Sequence, residues 1–356
     1  MTKPLVSVVM VIRDVDRFLA EAIESILSQT FKDFEFIVLD FGSTDNSKSI
    51  ALSYAAKDSR IKFDGIPHCT LPVARNTACS LAQGKYIAIM DADDVSLPDR
   101  LALEVEFMET HPEIGVLGGL TECINAEGKL LATRIHDLPI EDHEIRSALA
   151  VRSPFCQASV LIRREAFNTV GGYREVFVQA EDYDLWLRIS EHFQCAGLQH
   201  AVLRYRIHPY QISMQKQREQ TFYWLAAHAS ASLRSSGKPD PLNSLNEVTP
   251  ALLADLGISK ARQQSYLFKK CRDWVLIMSD AGEYSVALEA ALAMLQSDLQ
   301  YVERWKIADL HLIVARLYWQ QTRMLSSFLA VGRAVMSRPA IVGRPLKPLL
   351  RWAGLA

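Results

Sequence analysis

Short apolar runs alternate with amphipathic segments through the first part of the chain. Residues 5–12, 35–40, 61–63, 85–90, 114–118 and 158–162 read as strands, and the first suits a buried one. Residues 16–29, 46–57, 73–82 and 98–110 carry helical spacing. In the first of these, Phe18, Ala22, Ile23, Ile26 and Leu27 fall on one face. Pro98 suits a first helical turn, with Ser96 as a cap just before it. Strand and helix taking turns in this way predict an α/β domain with a mostly parallel sheet covered by helices.

The pattern changes after residue 213. Residues 235–241 (SSGKPDP) have the turn chemistry of a linker, and from residue 251 onward only helical spacing is found. This predicts an α/β domain over 1–213, a linker and connecting helix over 214–250, and an all-helical domain over 251–356. Residues 271–296 read as two helices joined at Ala281-Gly282. That unit resembles one tetratricopeptide-type hairpin, and it reads either as a repeat or as part of an ordinary helical subdomain.

Composition narrows the class. The chain has 356 residues, enough to bury a large core without disulfides or metals. Hydrophobic residues are 49% and charged residues 22%, which excludes a largely disordered chain. With 39 Lys and Arg against 41 Asp and Glu, nothing in the net charge of -2 points to nucleic acid. Six cysteines without a CxxC pair read as reduced core residues of an intracellular protein. The run at residues 5–12 is too short for a secretory signal, and no uninterrupted apolar stretch is long enough to predict a spanning helix.

Three stretches carry candidate chemistry. Asp91, Asp93 and Asp94 follow directly on the fourth apolar run. Carboxylates this close repel one another unless a cation is present, and their hard oxygens suit Mg²⁺ or Mn²⁺. The same residues also read as an acidic turn capping the next helix. Arg75 lies at a helix start, where it pairs with a phosphate or a base edge or stays on the surface. Glu181, Asp182 and Asp184 open an amphipathic segment, as first-turn acids favoured by the helix dipole.

The order of these motifs is what makes them specific. VSVVM, SILSQTF, DFEFIVLD, GSTD, ARN, YIAIMDADD, PDRL, GGYRE, EDYDLWLR and YRIHP follow one another over residues 4–213. In this the chain resembles the family 2 glycosyltransferases, which move a sugar from a nucleotide-sugar donor on the GT-A fold. The resemblance implies that Asp91 and Asp93 form a DxD pair. The pair would hold a divalent ion, Mn²⁺ or Mg²⁺, against the donor's diphosphate, Asp93 on the metal and Asp91 more on the donor sugar or ribose, with His208 reaching the metal or the diphosphate. Asp94 would support them or cap a helix. Asp182 would take the proton of the acceptor hydroxyl in an inverting displacement, with Glu181 or Asp184 as the other candidates. Glu181 and Gln157 would lie on the acceptor side, and Asp40, Arg75 and Arg13 on the donor side. Val11, Arg13 and Phe41 depart from the family's nucleotide-contacting positions, which leaves the donor base open.

From residue 310 onward the chain has Arg316, Arg323, Arg333, Arg338, Arg344, Lys347 and Arg351 and no acidic residue. Apolar side chains interleave with them. Such a tail reads as a surface for anionic lipid, with Trp319, Phe328 and Trp352 available for shallow insertion, or as the basic outer face of a helical subdomain. The expected partners are thus a nucleotide-sugar donor, a glycan or lipid-linked acceptor and an anionic membrane surface, with the enzyme in the cytoplasm or at the inner face of the membrane. Two other readings are a nucleotidyltransferase on a related fold and a non-catalytic nucleotide-sugar-binding scaffold. The first lacks a glycine in its expected phosphate loop at residues 10–14, and the intact acidic residues speak against the second.

Overall fold

The computed structural model describes residues 3–132, 138–211, 216–245 and 247–340, with the side chain of Gln217 left aside. The apolar runs form strands β1 (Val6–Ile12), β2 (Phe34–Asp40), β3 (Ile61–Gly65), β4 (Tyr86–Ile89), β5 (Val95–Ser96), β6 (Ile114–Ile124), β7 (Val160–Arg163) and β8 (Gln194–Arg206). They make one mixed sheet in the order β3-β2-β1-β4-β7-β6-β8-β5. β1, β2, β3 and β4 pair in parallel, as do β6 and β8. β7 is antiparallel to both neighbours, and β5 is antiparallel to β8. Four of the seven pairings are parallel, in line with the mostly parallel sheet that the sequence pattern predicts, and the antiparallel ones make the sheet mixed.

β5 and β8 escape the strand pattern for identifiable reasons. β5 is two residues long. β8 mixes buried and exposed positions irregularly, and its pairing with β6 shifts register around Gly119 and Leu120. Gly119 is required there, because a Cβ would lie 2.2 Å from Val202 Cγ2 on β8.

The helices of this part are α1 (Asp16–Leu27), α2 (Ser47–Ala55), α3 (Leu71–Ser80), α4 (Arg100–Thr110), α5 (Asp142–Leu149), α6 (Arg164–Thr169) and α7 (Glu181–Ser190). α1 buries Phe18, Ala22, Ile23 and Ile26 as its spacing predicts, and Leu19 besides, while Leu27 is half-buried; each large buried side chain contributes about 1.5–3 kcal/mol. Leu19, Ala22, Ile23 and Ile26 join Val6, Val8, Met10, Phe36 and Val38 of the sheet in the main core. The expected start of α4 is corrected: the helix begins at Arg100 behind Asp99. Ser96 belongs to β5 instead, where its hydroxyl accepts from Gln29 Nε2 and its backbone N–H donates to Ser25 Oγ.

The remaining helices are α8 (Gln217–Ser235), α9 (Pro250–Asp255), α10 (Lys260–Asp280), α11 (Tyr284–Gln296), α12 (Arg304–Gln320) and α13 (Met324–Ser337). The chain divides into two compact units. One comprises Met1–Leu130, Arg134–Arg206 and Tyr223–Thr249 and holds the sheet; the other comprises Leu131–Thr133, Ile207–Phe222 and Pro250–Ala356 and holds the helical pairs. In the segment read as a linker, Asp240 is buried and pairs with Arg174 and Arg234 of the sheet unit. All six cysteines are free and five are buried. Among the described residues no helix is long and apolar enough to cross a membrane. Arg344, Lys347, Arg351 and Trp352 lie outside the described residues.

Candidate active site

The site grows from the carboxyl end of β4. All four residues of that strand are buried, so a run of aspartates cannot continue it, and the chain turns out at Asp91. Asp91 Oδ1 accepts a hydrogen bond from Arg75 Nη2 at 2.9 Å. Arg75 comes from α3, is buried, and gives its Nη1 to Glu181 Oε1 at 2.5 Å. Glu181 is the first residue of α7, so one guanidinium joins the end of β4 to the start of α7. Asp182 follows Glu181, half-buried, with its Oδ1 accepting the Tyr183 backbone N–H.

The electrostatics of this group are over-negative. Burial pulls the Arg75 guanidinium down, but Glu181 and Asp91 outweigh it and hold it firmly protonated. Burial pushes the Asp91 carboxyl up, and Asp93 and Asp182 add to that push against Arg75. Burial also raises Glu181, with Asp182 and Asp91 working in the same direction against Arg75.

Asp94 is buried, and burial pushes its carboxyl well up, helped by Asp93 and Asp91. Its Oδ1 accepts the Arg206 backbone N–H at 2.8 Å, while Oδ2 has no hydrogen-bond partner among the described residues. Helix capping by Asp94 is thereby corrected, since Asp99 is the residue that precedes α4. Arg206, at the end of β8, is the residue that sequence reasoning missed. Its Nε donates to the Asp93 carbonyl at 2.7 Å and its Nη2 to Glu21 at 2.5 Å. The only sequence signal for it was its place in YRIHP.

Asp184 does not face this group as an available base. It is fully buried and shared between Arg174 and Arg188, the latter at 2.8 Å. Gln157 is buried before β7 and donates from Nε2 to Tyr173 Oη at 2.7 Å. Tyr173 is in turn held by Asn76, which accepts its N–H at 2.9 Å and donates to its carbonyl at 2.7 Å.

A second group sits beyond the carboxyl ends of β1 and β2. Asp40 is buried, with Oδ1 accepting the Ser43 N–H at 3.1 Å. Arg13 lies over the Phe41 ring at 5.6 Å and donates to His68 Nδ1 at 3.1 Å. Asp14, at φ 51°, accepts the Thr44 N–H at 2.7 Å and ties the two loops together. His68 had no motif to announce it. His208 belongs to the other compact unit, where its backbone N–H donates to Gln211 Oε1 at 2.8 Å. Among the described residues no three His, Cys, Asp or Glu side chains converge into a complete metal cage.

Residues 7–171 match the family model described as glycosyl transferase family 2. The chain is 39% identical over 208 residues to EpsE of Bacillus subtilis (strain 168), named as a glycosyltransferase, spanning 57% of this chain and 73% of the relative. It is 31% identical over 209 residues to the O-antigen biosynthesis glycosyltransferase WbnJ of Escherichia coli, spanning 57% of this chain and 80% of that one. The fold is similar to that of the mannosyltransferase PcManGT from Pyrobaculum calidifontis, with a TM-score of 0.51 over 95% of this chain and 89% of that one at 17% identity. Sequence relatives, fold and motif order agree, and the chain belongs to glycosyltransferase family 2, with a GT-A sheet domain and a helical C-terminal region.

Proposed function

We propose that this glycosyltransferase moves a sugar from a nucleotide-diphosphate donor to an acceptor hydroxyl with inversion at the anomeric carbon, in the building of a cell-envelope polysaccharide or glycoconjugate. The observation that carries the reading is the Arg75 fork, which sets Asp91 of the DADD turn beside Glu181 and Asp182 of α7. WbnJ is named for O-antigen biosynthesis, and PcManGT was solved with GDP-Man and Mn²⁺.

The carboxylates fit a divalent ion. Asp91 and Asp94 are raised by burial and by their acidic neighbours, and Asp94 keeps a buried oxygen without a hydrogen bond. Asp91 and Asp93 would hold Mn²⁺ or Mg²⁺. When bound, such an ion supplies positive charge against the diphosphate.

The chain's own residues do the rest. Asp182 accepts the proton of the acceptor hydroxyl as that oxygen bonds to the anomeric carbon and the bond to the diphosphate breaks on the opposite face. Arg75 has both Nη groups engaged, so it positions Asp91 and Glu181. Arg13 and Asp40 take the nucleoside side of the donor, and Gln157 acts through Tyr173 on the acceptor side. The basic C-terminal region faces an anionic membrane surface that presents a lipid-linked acceptor.

Calorimetry with UDP-, GDP- and dTDP-sugars tests the donor site. Binding is expected with Mn²⁺ or Mg²⁺, and to weaken sharply with chelator and in Asp93→Ala; equal affinity under chelation refutes the metal. Asp182→Asn should keep donor binding and lower turnover by about 10²-fold or more. Normal turnover in that variant removes Asp182 from the role, and retained configuration in the product, read by NMR, excludes the single displacement.

A further inference from the structure

Helix α13 is built inside out. It packs on α12 through small side chains: Ser327, Ala330 and Ala334 are buried, and Ser327 Oγ donates to the Ala315 carbonyl at 2.8 Å. Its large apolar side chains point away from that contact. Leu325, Phe328, Leu329 and Met336 are 75%, 68%, 58% and 76% exposed. With Gly332 they recur at helical spacing and form one stripe. A helix stabilised only by its own fold turns such residues inward.

The charges beside the stripe say what covers it. Arg333 is the only charged residue within α13, and Arg323 and Arg338 flank its two ends. No Asp or Glu occurs from residue 310 onward. A second copy of the chain against this face would bring Arg333 towards its counterpart, like charge beside apolar contact. An anionic lipid surface satisfies both features together, apolar side chains below the headgroups and guanidinium groups among them. The helix has 14 residues, too short to span a bilayer and well suited to lie in its plane.

We propose that α13 is a membrane-docking helix, inserting Leu325, Phe328, Leu329 and Met336 into the interface of an anionic bilayer while Arg333 pairs with lipid phosphate. This deepens the membrane-facing reading of the C-terminal region and rests on it, while moving the contact from the tail to one helix face. Trp319, expected to insert, is instead half-buried on α12.

The test is co-sedimentation of the full chain with vesicles of equal parts phosphatidylglycerol and phosphatidylcholine, and with phosphatidylcholine alone. Binding is expected on the anionic vesicles and should weaken as salt rises. The triple variant L325S/F328S/L329S should bind at least about tenfold more weakly, and Arg333→Glu about tenfold more weakly on anionic vesicles only. These side chains are exposed, so circular dichroism and nucleoside diphosphate release should match the parent. No vesicle binding by the parent overturns the membrane-facing reading and the proposal with it. Parent binding that the triple variant keeps overturns the assignment to α13 alone. A parent dimer in sedimentation velocity that the triple variant dissolves, without vesicle binding, gives the face to a second copy.

Discussion

At the scale of single residues, what a charged side chain can do is set by who has already claimed it. Asp182 and Asp184 both lie in the first turn of α7, yet Asp184 is locked between Arg174 and Arg188 while Asp182 stays half-buried beside Glu181. Arg174 extends this lock to Asp240, which also takes Ser230 and Arg234. Burial works to raise Asp240, but Ser230, Arg174 and Arg234 outweigh it and lower its carboxyl to about 2. Because that lies below its ordinary value, Asp240 contributes stability above pH ~4, and the contribution is lost as pH falls towards ~2. Asp240→Asn should cost about 2 kcal/mol at neutral pH. In urea denaturation the gap between parent and variant should close as pH drops through that window; a gap independent of pH denies the linkage.

At the scale of elements, the two C-terminal hairpins share one turn with different residues. α10 meets α11 at Gly282, with φ +86°, and α12 meets α13 at Thr322, with φ +61°. In both turns the next residue donates back into the first helix, Glu283 to Met278 and Arg323 to Tyr318. The left-handed backbone suits glycine and strains a β-branched residue. Thr322→Gly should therefore stabilise the chain by about 1 kcal/mol, and Gly282→Ala should destabilise it by about the same amount. Chemical denaturation of the two variants reads both signs, and a destabilising Thr322→Gly contradicts the strain. The hairpin of α10 and α11 was legible in sequence because its apolar spacing and its glycine are local. The second was not, because Thr322 carries no turn signal.

At the scale of the whole molecule, the residues proposed to bind the donor and take the acceptor proton lie in the unit that holds the sheet: Arg13, Asp40, Arg75, Asp91, Asp93 and Asp182. A chain ending at Thr249 should keep nucleoside diphosphate binding within about threefold, a change of less than ~1 kcal/mol. Calorimetry on that fragment checks this, with circular dichroism for its fold. Loss of binding in a folded fragment refutes the assignment of donor binding to the sheet unit.

Sequence by itself determined the features that repeat locally: the buried strands β1, β2 and β4, the buried face of α1, and the order of acidic motifs that marks the family. Each follows from the spacing of residues close along the chain. Tertiary structure alone decided the pairings between distant segments. Arg75 meets Glu181 across 106 positions of sequence, Arg206 reaches Asp94 across 112, and β7 enters the sheet against its neighbours. Packing alone also sent Asp184 to Arg174 and turned the small side of α13 inward. The reason is the same in each case. Periodicity states which residues share a face, but only the shape and charge of the neighbouring element state what that face will meet.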